Sequence, residues 1–373
     1  MTDTNVIFHP VRSEHNDYVN LIVKSLEENG AFILNKNWKK GKMNFVVRTL
    51  FDAIKFKNLI LHLNWIENMS IQGGVKGNVK CCLVLLFLRV FKLLGGKIVW
   101  TMHNFKPHAA VGNCYKTTFI PKLLKMTNLV VIHCTESKSI LVDKYHYPVN
   151  NMLFVPHGNY CPIMDDYIKQ NKEQNSDKVH FVYFGSISQY KGVEKLLDVF
   201  SNSSLRDSST LLICGEVQDM DLKKRIESIA YKNTCITLDL SYISNERLGF
   251  YISQADVVVL PHEKESMQNS GTLIMALSCG KPVVIPLFGY VKDIEDKSFV
   301  FSYDYSSEAE QLLNLRNVMT EVCELHRNHP HYLRNLGQEA YIFAKDKLNW
   351  NSSAGRLMKE YQKLYTHASK DEM

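Results

Sequence analysis

Residues 184–200 read FGSISQYKGVEKLLDVF. An apolar run, VHFVYF, closes on a glycine, and a lysine-glycine pair then opens an amphipathic helical pattern. Glycine at a strand end lets a ligand approach the backbone. The helix behind it offers free N–H groups and the positive end of its dipole. With Lys191 adding a full positive charge beside Gly185, the combination suits a phosphate group. The same residues also fit an ordinary strand-to-helix turn with a surface lysine. The spacing matches neither the phosphate loop GxxxxGKS/T nor GxGxxG.

A second phosphate candidate is LPHEKESMQNSGTLIMALSCGKPVVIP, residues 260–286. The strand pattern ADVVVLP ends at Pro261, a polar loop follows, and Ser270-Gly271-Thr272 open a short apolar helix that stops at Gly280. Asn269, Ser270 and Thr272 offer side-chain hydrogen bonds beside the N–H groups of the helix start. A plain capped helix start reads the same way. Two helix N-termini and one lysine on neighbouring strand ends would hold a diphosphate without a metal ion. DMD at 219–221 looks like a metal-binding DxD, but it begins the helix DLKKRIESIA, where capping explains it. The histidines lack metal-ligand spacing. No metal and no cofactor are therefore expected.

For proton transfer the foremost candidate is His103 in TMHN, directly after a strand pattern, with Asn104 and His108 following. His157 in VPHGNY, Glu263 in the loop after ADVVVLP, and Glu14 with His15 in VRSEHNDY rank behind it; His9 ends the first strand. Each histidine also fits a hydrogen-bonded structural role.

These residues need strand ends to carry them. NVIF, AFIL, LILHL, KIVWTMH, LVVIHC and NMLFVPHG alternate with helical patterns in the first half. The rhythm restarts after the polar stretch 167–178 with VHFVYFG, STLLICG, CITLDL, ADVVVLP and KPVVIP. The runs are too short and too evenly apolar for one-sided strands, so buried parallel strands with crossover helices are expected. The α/β chain thus divides into two Rossmann-like domains facing a central cleft: 1–160, a linker at 161–178, and 179–345. A final helical segment, 346–373, lies over one of the two bodies.

Charge is unevenly placed. The whole chain carries +6, yet residues 36–125 hold 16 Lys/Arg against Asp52 and Glu67 alone, or +14, leaving −8 elsewhere. Such a basic body fits anionic lipid or a pyrophosphate-bearing substrate, as well as a merely solvated surface. No nucleic-acid-reading motif accompanies it. In VKCCLVLLFLRVFKLL (79–94) the uncharged core is far shorter than the ~20 residues that span a bilayer. A helix buried in an α/β domain is expected there. Peripheral contact through Lys76, Lys80, Arg89, Lys92 and Lys97 stays open. Nine scattered cysteines and a start without signal-peptide character point to a reduced, cytoplasmic setting.

The order FG…YKG…LL, ICGE, ADVVVLP…SG…ALSCGKPVV and a late NW helix resembles the nucleotide-sugar domain of GT-B glycosyltransferases, near glycosyltransferase family 4. HLNWIEN (62–68), KIVWTMHNFKPH (97–108) and VPHGNY (155–160) are similar to the branch that builds bacterial capsule, O-antigen or exopolysaccharide repeats. The resemblance covers most of the chain. It implies a nucleotide-diphosphate sugar on the second domain and a glycan acceptor on the first, and the basic charge of the first half fits an acceptor carried on polyprenyl diphosphate near anionic lipid. It also implies a C-terminal helix crossing back to the first domain. Gly185 and Lys191 match the donor-phosphate glycine and lysine, and Ser270, Gly271 and Thr272 the phosphate-facing helix start. Glu216 matches a strand end near the nucleotide, and Tyr242 in Ser241-Tyr242-Ile243 the loop beside the base. Two features depart from the pattern. No arginine stands between Gly185 and Lys191, and Met267 and Met275 replace the paired glutamates, leaving the ribose contact unassigned. A non-hydrolysing nucleotide-sugar epimerase and a catalytically degenerate binding protein share this architecture as alternatives.

Overall fold

A computed structural model of the chain describes residues 4–13, 16–39, 41–66, 75–104, 119–168, 177–264 and 268–366. Two compact units result, Met1–Gly158 with Asn349–Met373, and Asn159–Leu348.

In the first unit come β1 (Thr4–His9), α1 (Asp17–Glu28), β2 (Ala31–Ile33), α2 (Lys42–Lys55), β3 (Leu59–Asn64) and α3 (Val75–Leu93). They are followed by β4 (Lys97–Met102), α4 (Ile120–Met126), β5 (Leu129–Ile132), α5 (Thr135–Tyr145) and β6 (Met152–Phe154). The sheet is parallel, in the order β2-β1-β3-β4-β5-β6. Residues of β3 are buried at every position, because helices cover both faces. Asn16 caps α1 by accepting the Tyr18 N–H, and Gly30 leaves the helix at a left-handed φ of +91°.

The second unit opens with α6 (Cys161–Met164), β7 (Val179–Phe184), α7 (Val193–Ser201), α8 (Leu205–Ser208), β8 (Ser209–Cys214), α9 (Met220–Tyr231) and β9 (Ile236–Asp239). Next are α10 (Asn245–Gln254), β10 (Val257–Val259), α11 (Gly271–Ser278), β11 (Val283–Pro286), α12 (Gly289–Lys292) and β12 (Val300–Tyr303). Helices α13 (Glu308–Asn328) and α14 (Tyr332–Lys347) close it, before α15 (Trp350–Thr366). This sheet runs β12-β11-β10-β7-β8-β9, again parallel. β12 is a strand the sequence pattern does not announce.

The linker expected at 161–178 is corrected in its described part, which folds into the second unit. The Tyr160 N–H donates to Ser278 Oγ at 2.8 Å, and a Cβ on Gly249 would lie 2.6 Å from Tyr167. Helix α15 belongs to the first unit, where Trp350, Leu357 and Tyr361 share a core with Tyr18, Ile22 and Leu26 of α1. The opposite face of that sheet packs α2, α3, α4 and α5.

Asp219 is the N-cap of α9, its Oδ1 accepting the N–H groups of Asp221 and Leu222 at 2.9 and 3.1 Å. Asp219→Ala should lower stability by about 1 kcal/mol in urea unfolding. The loss should be the same with and without added Mn²⁺; a cation-dependent loss would make DMD a metal site.

Candidate active site

In the second unit strand order reverses at β7, whose neighbours are β8 and β10. Connections leave in opposite directions there, which opens a crevice at the carboxyl ends of the strands. Gly185 closes β7 at φ +114°, and a Cβ on it would lie 2.8 Å from Thr272 Cγ2. The missing side chain is what lets the start of α11 sit against the end of β7. Gly192, at φ +70°, packs where a Cβ would lie 2.1 Å from Pro261 O, and the Glu263 N–H donates to Tyr190 O at 2.9 Å. The turn 189–192 and the loop after β10 are thereby locked together.

Lys191 stands in this lock, 8% exposed. Its Nζ lies 5.3 Å from the Tyr190 ring centre and, among the described residues, has no hydrogen-bond or ion-pair partner. Burial lowers its pKa to about 8, so the group is largely charged at neutral pH. A buried, unpaired ammonium is costly, and an anion beside it removes the cost. His262 is fully buried below, its Nε2 3.3 Å from both Ser270 Oγ and Thr272 Oγ1, which lie 2.8 Å apart. Burial, and then the charge of Lys191, hold His262 well below its ordinary pKa, so the ring is neutral. Ser270 caps α11 by accepting the Leu273 N–H at 3.3 Å, and Asn269 Oδ1 accepts the Ser270 N–H at 3.0 Å.

Gly185, Lys191, Asn269, Ser270, Gly271 and Thr272 are thus brought together. Exposed Glu216 lies beside them, its carbonyl accepting the Ile187 N–H at 2.9 Å. Tyr242 is exposed beyond β9, two strands from β7. The Glu263 carboxylate is 3.4 Å from Lys195 Nζ, which also donates to Gln311 Oε1 at 2.9 Å. That ion pair occupies the carboxylate within the second unit.

In the first unit, strand ends converge on an imidazole cluster. His103, buried after β4, has Nε2 3.0 Å from Asn64 Oδ1 and stacks on Trp65 at 4.1 Å and 13°. The amide oxygen can only accept, so Nε2 carries the proton and Nδ1 keeps a lone pair. Tyr18 meets His103 edge-on at 5.0 Å and lies 4.8 Å from His157. His157, the residue before Gly158 at the end of the first unit's main segment, has Nδ1 2.8 Å from Gly158 O. Trp350 closes over Gly158, where a Cβ would lie 2.2 Å from the indole. His133 after β5 has Nδ1 2.7 Å from Val155 O, and its buried Nε2 has no partner among the described residues. Burial, followed by neighbouring histidines, holds His103 well below its ordinary pKa. Burial also takes His157 to about 3 and His133 to about 4. All three are neutral hydrogen-bonding groups at pH 7. Asn104 is half-buried next to them, while Glu14, His15 and His108 lie outside the described residues.

Sequence reasoning passed over His262, His133, Asn64, Trp65, Tyr18 and Trp350 as site residues. For two of them a signal existed: LVVI runs into His133 and VVVLP into His262, the placement that singles out His103.

Residues 164–313 match the family described as glycosyl transferases group 1. GDP-mannose:glycolipid 4-beta-D-mannosyltransferase of Xanthomonas campestris pv. campestris is 27% identical over 267 residues, which span 70% of this chain and 71% of that protein. Among solved structures, a glycosyltransferase from Rickettsia africae superposes with a TM-score of 0.66 at 13% identity, covering 96% of this chain and 97% of the other. Anabaena HepE in complex with UDP and glucose superposes with a TM-score of 0.69 at 10% identity, covering 96% and 100%. At these identities the two structures bear on the fold alone.

Proposed function

From a chain with the GT-B fold whose residues 164–313 form a group 1 glycosyltransferase domain, and which is therefore a glycosyltransferase, we propose a specific reaction. It moves a sugar from a nucleotide diphosphate to a glycolipid acceptor during bacterial surface polysaccharide assembly, at the cytoplasmic face of the membrane. The observation that carries this reading is the buried ammonium of Lys191 beside the start of α11, which has no hydrogen-bond or ion-pair partner among the described residues. An ordinary turn would leave such a lysine in water, whereas a diphosphate gives its charge a partner.

Each residue has a proposed task. Lys191 and the N–H groups of Gly271 and Thr272 hold the diphosphate, with Gly185 leaving room for its approach and Asn269 and Ser270 beside it. Glu216 and Tyr242 flank the nucleoside, and neutral His262 braces the two hydroxyls of the helix start. As the bond from the anomeric carbon to the diphosphate oxygen breaks, these donors take up the growing negative charge. The acceptor hydroxyl forms the new bond to that carbon and gives up its proton. His103 Nδ1 is the proposed receiver, with His157 orienting the sugar. The face of half-buried Trp65 turned away from His103 suits a sugar ring. Asn104, Glu14 and His108 are assigned to the acceptor side, and Glu263 to fixing the loop through Lys195.

The similarity to a GDP-mannose enzyme makes GDP-mannose the first donor to try. Incubated with labelled GDP-mannose and a bacterial lipid extract, the protein should move label into the organic phase, release GDP and tolerate EDTA. If neither GDP- nor UDP-sugars bind, the reading falls. Transfer abolished by EDTA and restored by Mg²⁺ would remove the metal-free part.

A further inference from the structure

We propose that the outward faces of α2 and α3 are the surface by which this enzyme docks on a bilayer rich in anionic lipid, lying in the interface without crossing it. The inference deepens the membrane-face reading above and rests on it. On α2, Met43, Val47, Phe51 and Ile54 are 76%, 57%, 65% and 72% exposed. Their spacing of four, four and three places them within an arc of about 80° on a helix that turns 100° per residue. The other side of α2 supplies Ala53 and Phe45 to the core.

α3 repeats the pattern. Val79, Leu83, Leu86 and Leu93 are 52%, 60%, 58% and 78% exposed, while Cys81, Leu88 and Phe91 enter the core from the opposite side. This helix reads as buried in the sequence because it is apolar on two faces, and only one of them packs. The Phe45 and Phe87 rings, 6.3 Å apart, join the two helices on one side of the sheet. Both stripes therefore face outward together. Single exposed apolar residues are ordinary, but two aligned stripes of four mark a contact surface.

Charge selects the occupant. Arg48 and Lys55 border the α2 stripe and Lys76, Lys80 and Arg89 the α3 stripe, while Asp52 is the one acid on either helix. They sit in the segment that carries +14. A second copy would set this positive surface against itself; anionic headgroups neutralise it while the acyl boundary takes the apolar stripes. No helix among the described residues is long and apolar enough to cross a membrane.

The test is partition of the full chain onto phosphatidylcholine vesicles with and without about 30% phosphatidylglycerol, at low and high salt, with GDP-mannose binding measured in parallel. Binding should be at least about tenfold tighter with phosphatidylglycerol and weaken with salt. Phe51→Ser/Leu83→Ser, both in exposed positions, should cost about a further tenfold without changing the melting temperature or nucleotide-sugar affinity. Arg48→Gln/Arg89→Gln should erase much of the lipid preference. A chain that binds nucleotide sugar yet ignores the vesicles overturns the proposal. So does an apolar variant that partitions like the parent, or a dimer split by that variant with no lipid binding. Vesicle binding without nucleotide-sugar binding would support this surface and sink only the donor reading.

Discussion

Lys191→Met will weaken nucleotide-sugar binding by one to two orders of magnitude, about the strength of one charge-assisted hydrogen bond, and will raise the melting temperature of the unliganded protein. Both effects come from the same buried charge. Without ligand the ammonium has lost water and gained no hydrogen-bond or ion-pair partner among the described residues, so an isosteric apolar side chain removes a penalty. The pH dependence gives an independent check. The folded pKa, about 8, lies below the ordinary lysine value of 10.5. Between these values the unfolded chain keeps a proton that the folded chain has released. Unliganded stability should therefore rise with pH through that window, and the methionine variant should lack the rise. A diphosphate reverses the preference by favouring the charged form. Near and above pH 8, binding should take up a proton, seen as a calorimetric enthalpy that depends on the buffer, and affinity should fall as pH climbs. A variant that binds as tightly as the parent would remove Lys191 from the phosphate site.

How much of this was legible in the sequence depends on whether the signal is local. Parallel strands covered on both faces write themselves as continuous apolar runs, so β3, β7 and β8 are plain. β12 is not, because VFSY sits at the sheet edge with Phe301 and Ser302 only half-buried. The unit boundary was displaced for a related reason. The polar composition of 167–178 suggests a linker, while the change of unit at Gly158 is set by what Tyr160 and Tyr167 pack against. In the donor site, Gly185 and Lys191 carry their meaning in backbone conformation and charge at one junction. His262 acquires its role only through hydroxyls eight and ten positions onward. The imidazole cluster is harder still. Tyr18 and Trp350 come from opposite ends of the chain and meet 5.3 Å apart, and no spacing rule links them.

His103→Ala should lower kcat by about a hundredfold while leaving nucleotide-sugar affinity within about twofold, the pattern of a group engaged in proton transfer. A cavity alone can also slow an enzyme, so the deciding variant is Asn64→Asp. Asn64 Oδ1 now accepts the His103 Nε2 proton as a neutral amide oxygen, 3.0 Å away. Burial and three neighbouring histidines, with no countercharge, hold His103 well below its ordinary pKa, so the ring is neutral across pH 6 to 8. If Nδ1 receives the acceptor's proton, kcat should be flat over that range and fall only in more acid solution, where the ring is already protonated. A carboxylate at position 64 stabilises the imidazolium and raises its pKa. The acid limb of the kcat profile should then move up by about one unit or more. A histidine that only packs against Trp65 would answer Asn64→Asp with a changed melting temperature and an unmoved limb. That outcome would pass the proton to another acceptor, with His133 Nε2, buried and unpartnered among the described residues, the next to test.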